Sequence, residues 1–303
     1  MNLRQIEVFR AVMLAGSVTD AARLLHVSQP GISRMLGHIE LQLGLRLFER
    51  SRGRLRPTPE AQALYAEVES VYRGVRRIED RARELQTGAG LTLRVLASPS
   101  TALEVVPRAI AELAAAYPAA RIYMETQLVR EMVGQLVQRE ADIAISTLPI
   151  EHALLRSEPV GSWTLACVFG AGHAFAARRT LPLHDVMAEK LIAFSADTPQ
   201  GRLIDGWWRD NGQSAPAAQI EVRSGQAACA LVASGAGVAV VDDLTARAWA
   251  GARLGFRPLR RPPGFEAFAV TAASTPPSRL AEDFVARVKA AFRAVRKPGD
   301  ARA

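Results

Sequence analysis

The chain has 303 residues, room for more than one domain, and 49% of them are apolar, which excludes a disordered chain. Thirty-eight Lys and Arg against 30 Asp and Glu leave a formal charge of +8, which points to a polyanion such as nucleic acid as partner. No stretch is apolar and long enough to span a bilayer, and "MNLRQIEVFRAVM" lacks the apolar run and cleavage site of a secretory signal. Cys167 and Cys229 lie in apolar surroundings, "LACVF" and "AACAL", which predict buried small side chains in a reducing cytosol rather than a disulfide or a metal site. A cytoplasmic protein is expected.

Ile6, Phe9, Val12 and Met13 recur at helical spacing, and Gly16 is placed to end that first helix. "SVTD" (17–20) has the form of a capping box, with Ser17 accepting from the amide of Asp20 and Asp20 reaching back. A short second helix follows, in which Ala21 and Ala22 keep one face small enough for another helix to cross closely. Ser28 is then the N-cap of a third helix with Gln29, Pro30 and Gly31 in its first turn. Amides there have no intrahelical acceptor, so Pro30 sacrifices nothing, and Val27 and Ile32 stand at the two ends of a hydrophobic staple. Gly31 costs up to about 1 kcal/mol against Ala; its bareness lets a bulky partner approach.

Ile32, Met35, Leu36 and Ile39 point one way along this helix, while Gln29, Ser33, Arg34 and His38 point another. A helix, a tight turn and a second helix with polar residues near its start is the layout of a helix-turn-helix. Gln29 and Arg34 are the expected readers of base edges, Ser28 and Ser33 contact phosphate or base, and Pro30 lies against the DNA. In "LFERSRGRLRPTPE" (47–60), Arg50, Arg52, Arg54 and Arg56 alternate along a ribbon turned at Gly53, so same-face arginines follow a phosphate backbone or enter a minor groove. A solvated charge run is the alternative; beside a helix-turn-helix, a wing is the better reading.

These residues carry a resemblance. Residues 3–61 resemble the N-terminal domain of LysR-type transcriptional regulators, through the core "AARLLHVSQPGISR", the exit "LGLRLFER" and the entry "TPEA" to the next helix. The resemblance implies a winged helix-turn-helix that binds an interrupted palindrome in double-stranded DNA as part of a homodimer or homotetramer, with RNA polymerase as a further partner.

"TPEA" (58–61) starts a helix, with Thr58 as N-cap and Pro59 at its first position. Ala61, Leu64, Val68, Val71, Val75, Ile78, Ala82 and Leu85 follow in alternating steps of three and four, the a/d pattern of a coiled coil. A helix docked on its own domain would drift from that period, so a dimerisation helix is expected, ending at "TGAG" (87–90).

From Leu91 onward, strands alternate with helices. Strands are expected at 91–97, 121–126 and 142–147, then at 163–170, 191–195, 218–224 and 237–243, with a strand at 266–274 and a helix at 277–295 returning to the first set. The alternation indicates parallel sheet with helices on both faces, in two lobes each with its own sheet. Ligands bind such sheets beyond the carboxyl ends of the strands. "ASPST" (97–101) and "SADTP" (195–199) both put hydroxyls there: Ser98, Ser100 and Thr101 on one side, Ser195, Asp197 and Thr198 on the other, able to hold a carboxylate between the lobes. A helix cap is the alternative reading of each; their matched positions favour a cleft.

This layout also resembles the LysR-type effector domain, itself similar to periplasmic solute-binding proteins. By position, the family's effector contacts carry over to Ser98, Ser100, Thr101 and Gln127 in lobe one and to Ser195 and Thr198 in lobe two. The stretches 8–30, 71–78 and 237–246 most resemble the branch holding the diaminopimelate-responsive regulator of lysine synthesis and the opine-responsive regulators. That branch has Pro where this chain has Asp243, a carboxylate that either attracts an ammonium group or caps the next helix.

The expected organisation is a winged helix-turn-helix over 1–58, a linker helix over 59–90 and a two-lobed α/β effector domain over 91–303, lobe one being 91–162 with 266–297 and lobe two 163–265. The expected function is sequence-specific transcriptional regulation controlled by an amino-acid derivative such as diaminopimelate, lysine or an opine. Regulators answering to aromatic or other carboxylic acids, and cytoplasmic solute-binding proteins, are the alternatives. Five scattered histidines and no HxxxH, CxxC, GxSxG or phosphate loop argue against an enzyme, a metal or a cofactor.

Overall fold

A computed structural model of the chain describes residues 1–51, 54–87, 92–214 and 218–295. Its contacts divide into two compact units, Met1–Gly88 and Ala89–Ala303.

In the first unit, α1 (Leu3–Ala15) starts at Asn2 in a full capping box with Gln5, and Gly16 closes it in the left-handed conformation at φ 66°. For α2 (Val18–Leu24), the Ser17 hydroxyl accepts the Asp20 amide at 3.0 Å. The expected box stops there: the Asp20 carboxylate takes the Ser17 hydroxyl (2.6 Å) and Arg23 (3.1 Å) instead of the backbone. The next helix, α3 (Gln29–Leu43), begins at Ser28 as expected. Val8, Val12, Ala21, Ala22, Ile32 and Leu36 join the three helices in one core, with the two alanines keeping α2 close to its neighbours. A hairpin follows, β1 (Phe48–Ser51) antiparallel to β2 (Arg54–Pro57).

Thr58 ties the hairpin to α4 (Pro59–Thr87): its amide donates to Leu47 O (3.0 Å), and its hydroxyl donates to Arg46 O (2.9 Å) and accepts the Ala61 amide (3.2 Å). The a/d stripe of α4 is divided. Ala61 and Val68 are buried against Phe9, Ile39 and Leu47, with Leu64 packed beside them. Arg10 adds an ion pair to Glu69 at 2.6 Å and lies over the Tyr72 ring. The first turns thus dock on their own unit, against the expectation of an unbroken dimerisation stripe, because α1 and α3 offer them an apolar surface. Val71, Val75 and Ile78 are 44%, 41% and 71% exposed. The side chains of Ala82 and Leu85 lie outside the described ones.

The second unit runs β3 (Thr92–Ala97), α5 (Val105–Ala116), β4 (Arg121–Thr126), α6 (Val129–Val137), β5 (Ile143–Ser146) and the long β6 (Leu155–Gly170). It continues through α7 (Leu183–Met187), β7 (Leu191–Phe194), α8 (Pro199–Asp210), β8 (Ile220–Val222), α9 (Gly225–Ala233), β9 (Val238–Asp242) and α10 (Asp243–Trp249), and ends with β10 (Leu254–Pro258), β11 (Gly264–Ala272) and α11 (Arg279–Val295). The two expected sheets are present, and they share one strand: among the described residues the path runs β4-β3-β5-β11-β6-β9-β7-β8, with β10 on β6. The link is β6, which pairs β11 from Leu155 to Thr164 and β9 from Leu165 to Val168. One continuous core, including both buried cysteines, runs beneath it.

The register sets where the strands point. β5 runs with β6 toward its middle, with Ser146 opposite Phe268 and Phe268 opposite Pro159. β9 runs against β6 and ends with Asp242 opposite Leu165. β3 and β4 are parallel to β5, and β7 and β8 to β9. The carboxyl ends of both strand sets are therefore aimed at each other across the middle of β6.

Gly161, in that middle, touches α11: a Cβ there would stand 2.2 Å from the Phe292 ring, which is itself buried. Gly161→Ala should lower the unfolding free energy by about 1–3 kcal/mol, measured by denaturant titration of the second unit's tryptophan fluorescence.

Candidate functional site

In the first unit, α3 divides as its periodicity predicts. Ile32, Leu36 and Ile39 are buried, while Ser28, Gln29, Pro30, Ser33, Arg34 and His38 are exposed. The Ser28 hydroxyl accepts the Gly31 amide at 3.3 Å. A Cβ on Gly31 would lie 3.2 Å from that hydroxyl, so the glycine also protects the cap, a local reason beyond access for a partner. Val27 remains 37% exposed, so the staple holds at its Ile32 end only. Arg34 rests its Nε against Pro30 O at 3.4 Å, and its terminal nitrogens make no ion pair among the described residues. Charge and hydrogen-bonding capacity at the amino end of α3 are thus free to face an anionic groove.

In the hairpin, Arg50 pairs with Leu55 and Glu49 with Arg56. Pairing of odd with even positions means that even-numbered residues change face between the two strands, so the ribbon does not line all its arginines on one side. Arg56 is exposed. Arg52 lies outside the described residues, as do the side chains of Arg50 and Arg54.

In the second unit, Ser98 and Thr101 build the turn after β3. The Ser98 hydroxyl accepts the Thr147 amide (3.2 Å), and the Thr101 hydroxyl donates to Ser98 O (3.0 Å). Both are buried. Gln127, after β4, donates to Glu125 at 2.7 Å. On the opposing side, the Thr198 hydroxyl donates to Ser195 O (2.7 Å) and accepts the Gly201 amide (2.9 Å), which starts α8. The Ser195 hydroxyl donates to Asp197 at 2.8 Å. Arg223 and then Ser195 hold the exposed Asp197 carboxyl below its ordinary pKa.

Ser100 joins the two sides. It lies near enough to Asp242, at the end of β9, to pull that carboxyl's pKa down. The Asp242 carboxylate accepts the Thr245 amide (2.7 Å), the Thr245 hydroxyl (2.9 Å) and Gln200 Nε2 from the first turn of α8 (3.3 Å). Asp243 turns instead to the crossover strand, accepting the Thr164 amide at 2.8 Å with Arg247 at 3.6 Å. Trp163 donates from the same strand to Thr147 O at 3.1 Å. Asp242 and Gln200 are absent from the sequence-predicted set; the signal for the former was its D-x-x-T spacing before a helix.

Asp242 is 2% exposed. Burial pushes its pKa up against the downward pull of its hydrogen bonds, and burial likewise raises Asp243. Desolvating a carboxylate costs several kcal/mol, whereas a helix cap contributes about 1 kcal/mol. A cavity of about 20 Å³ between β7 and α8, lined by Ile192, Phe194, Ile204 and Trp208, has room for a water but not for a metabolite. Among the described residues, no group of His, Cys, Asp and Glu is placed to hold a metal ion, and no helix is long and apolar enough to cross a membrane.

Residues 3–62 match the family model "Bacterial regulatory helix-turn-helix protein, lysR family", and residues 86–293 match "LysR substrate binding domain". The regulatory protein NocR of Agrobacterium fabrum is 32% identical over 292 residues, 96% of this chain and 97% of NocR. The octopine catabolism/uptake operon regulatory protein OccR of Rhizobium meliloti is 31% identical over 248 residues, 81% of each. The crystal structure of CbnR, a LysR family transcriptional regulator, shares the fold with a TM-score of 0.79 at 22% identity, over 96% of this chain and 99% of CbnR.

The raised Asp242 pKa has a sign. Below the ordinary carboxylate value of 3.8 the group is protonated in both folded and unfolded chains and carries no penalty. As pH rises from there through the folded-state value, ionisation favours the unfolded chain, so stability is lost. Asp242→Asn should therefore gain melting temperature relative to the native protein as pH increases from about 4 to 7, read by thermal unfolding at each pH. A constant difference would place the carboxylate in a solvated setting.

Proposed function

We propose that this chain, which belongs to the LysR family of DNA-binding transcriptional regulators with an effector-binding domain, binds its operator sequence-specifically and answers to an amino-acid derivative of the diaminopimelate, lysine or opine class. The observation that carries the reading is the convergence of two polar strand-end clusters on the middle of β6, with Ser100 of one side near Asp242 of the other. Similarity to a regulator of an octopine operon supports the effector class. The cleft set is Ser98, Ser100, Thr101, Gln127, Ser195 and Thr198, in which Ser98, Thr101 and Thr198 chiefly shape the strand–helix turns.

Ser28, Gln29, Pro30, Ser33 and Arg34 face the major groove, and the basic hairpin with Arg50, Arg52 and Arg54 takes the flanking backbone. The protein acts as a homodimer or homotetramer in the cytoplasm, where its DNA is. Val71, Val75 and Ile78 continue an apolar stripe beyond the docked turns of α4, and a second copy of that helix offers the matching surface.

Arg34→Ala should relax operator preference by roughly 1–3 kcal/mol at one base position, measured by quantitative footprinting on an operator selected from random DNA. An equal loss on all sequences would reassign Arg34 to phosphate. Val75→Glu should weaken self-association by on the order of 2 kcal/mol, about thirtyfold in Kd, measured by analytical ultracentrifugation. An unchanged distribution would remove this stripe from the interface. A thermal-shift screen against amino acids, diaminopimelate, opines and aromatic acids tests the effector class; a response confined to aromatic or plain carboxylic acids would discard it while keeping the regulator.

A further inference from the structure

We infer that Asp242 is the specificity-determining group of the cleft, its carboxylate receiving the ammonium group of a cationic or zwitterionic effector. The inference rests on the reading that a metabolite binds between the facing strand ends. Asp242 closes β9 opposite Leu165, at the middle of β6 where both strand sets aim. It is 2% exposed, yet its hydrogen-bond partners, Thr245 and Gln200, are neutral, as is nearby Ser100. No Lys, Arg or His pairs with it among the described residues: Arg247 goes to Asp243 at 3.6 Å and Arg223 to Asp197 at 2.6 Å.

Capping does not explain a charge here. Five other helices of the chain are capped by neutral side chains, Asn2, Ser17, Ser28, Thr198 and Ser224. For α10, the cap needs only Asp242 Oδ1, which accepts the Thr245 amide. Oδ2 is left to the Thr245 hydroxyl and Gln200 Nε2. The adjacent Asp243 takes Arg247 at 3.6 Å, so a second carboxylate stands beside Asp242 while the guanidinium serves only its neighbour. The local field therefore favours a cation. An ammonium group has three donors and no acceptor: one suits the Asp242 carboxylate, and the Ser100 hydroxyl and the Gln200 side-chain carbonyl offer oxygens for the others. Those two residues come from opposite sides of the cleft, so such a ligand would draw on both.

The test uses the full chain and ligand pairs that differ in ammonium groups: meso-diaminopimelate against pimelate, and L-lysine against hexanoate. Calorimetry should show the native protein binding an ammonium-bearing member at least about thirtyfold more tightly than its deaminated counterpart. Asp242→Asn keeps the capping oxygen, and Asp242→Ser supplies the cap found elsewhere in the chain. Both should lose that affinity by about thirtyfold or more, while the melting temperature without ligand stays level or rises. A capping role alone would leave the affinity intact in both variants, and would overturn the inference. So would equal affinity for pimelate or hexanoate, or no binding of either ammonium-bearing compound. Ser100→Trp, which fills the cleft, separates the two readings: if it abolishes binding while Asp242→Asn does not, only the Asp242 assignment fails, and if neither variant matters the cleft itself is misplaced.

Discussion

Strand β6 is the constraint on which the second unit depends. A strand of 16 residues is much longer than its neighbours, and its two halves serve different partners, β11 over the first and β9 with β10 over the second. Since β5 runs along β6 and β9 runs against it, a parallel sheet on each half must present its carboxyl ends toward the middle. No separate device is needed to make two binding edges face each other. The crossover is then fastened from both sides, Trp163 to the chain after β5 and Thr164 to the chain after β9. Gly161 lets α11 close over the same segment.

Much of the local architecture is built by one chemical device, a hydroxyl at a helix start. Ser17, Ser28, Thr58, Thr198 and Ser224 each satisfy an amide that the helix cannot. At α3 this leaves the polar side chains of the first turn exposed and uncommitted, which suits a groove reader. In the second unit the same device consumes Thr198, so hydroxyls that look like ligand contacts are partly scaffolding. Ser100 differs because its hydroxyl faces a group from the other side.

That contrast explains what was legible. The start of α3 is encoded locally, by Ser28 with Pro30 and by apolar residues every three or four positions, so sequence reasoning places it to the residue. The strands of the second unit were found for the same reason, as short apolar runs. The first half of β6, "LRSEPVG", carries Glu158, Pro159 and Gly161, poor strand formers whose strand is imposed by pairing with β11. β10 escaped likewise, since "LGFRP" reads as a loop until β6 supplies its partner. The α4 stripe shows the limit of periodicity: a/d spacing fits docking on α1 and α3 as well as it fits another helix, and only burial divides Val68 from Val71.

The choice between Asp242 and Asp243 was hidden for a related reason. All five residues of β9 are buried, so no alternation of polar and apolar side chains announces which face the strand end presents. Register decides it, turning Asp243 to the Thr164 amide and Asp242 to Gln200 and Ser100. The outcome matters for regulation because a ligand shifts a conformational equilibrium only by its differential affinity for the two states. On the proposed reading, a carboxylate buried between two edges without a cation would disfavour their approach in the ligand-free protein, and an ammonium group bound there would turn that penalty into attraction. A neutral cap at the same position would hold α10 equally well and would give the effector nothing to reverse.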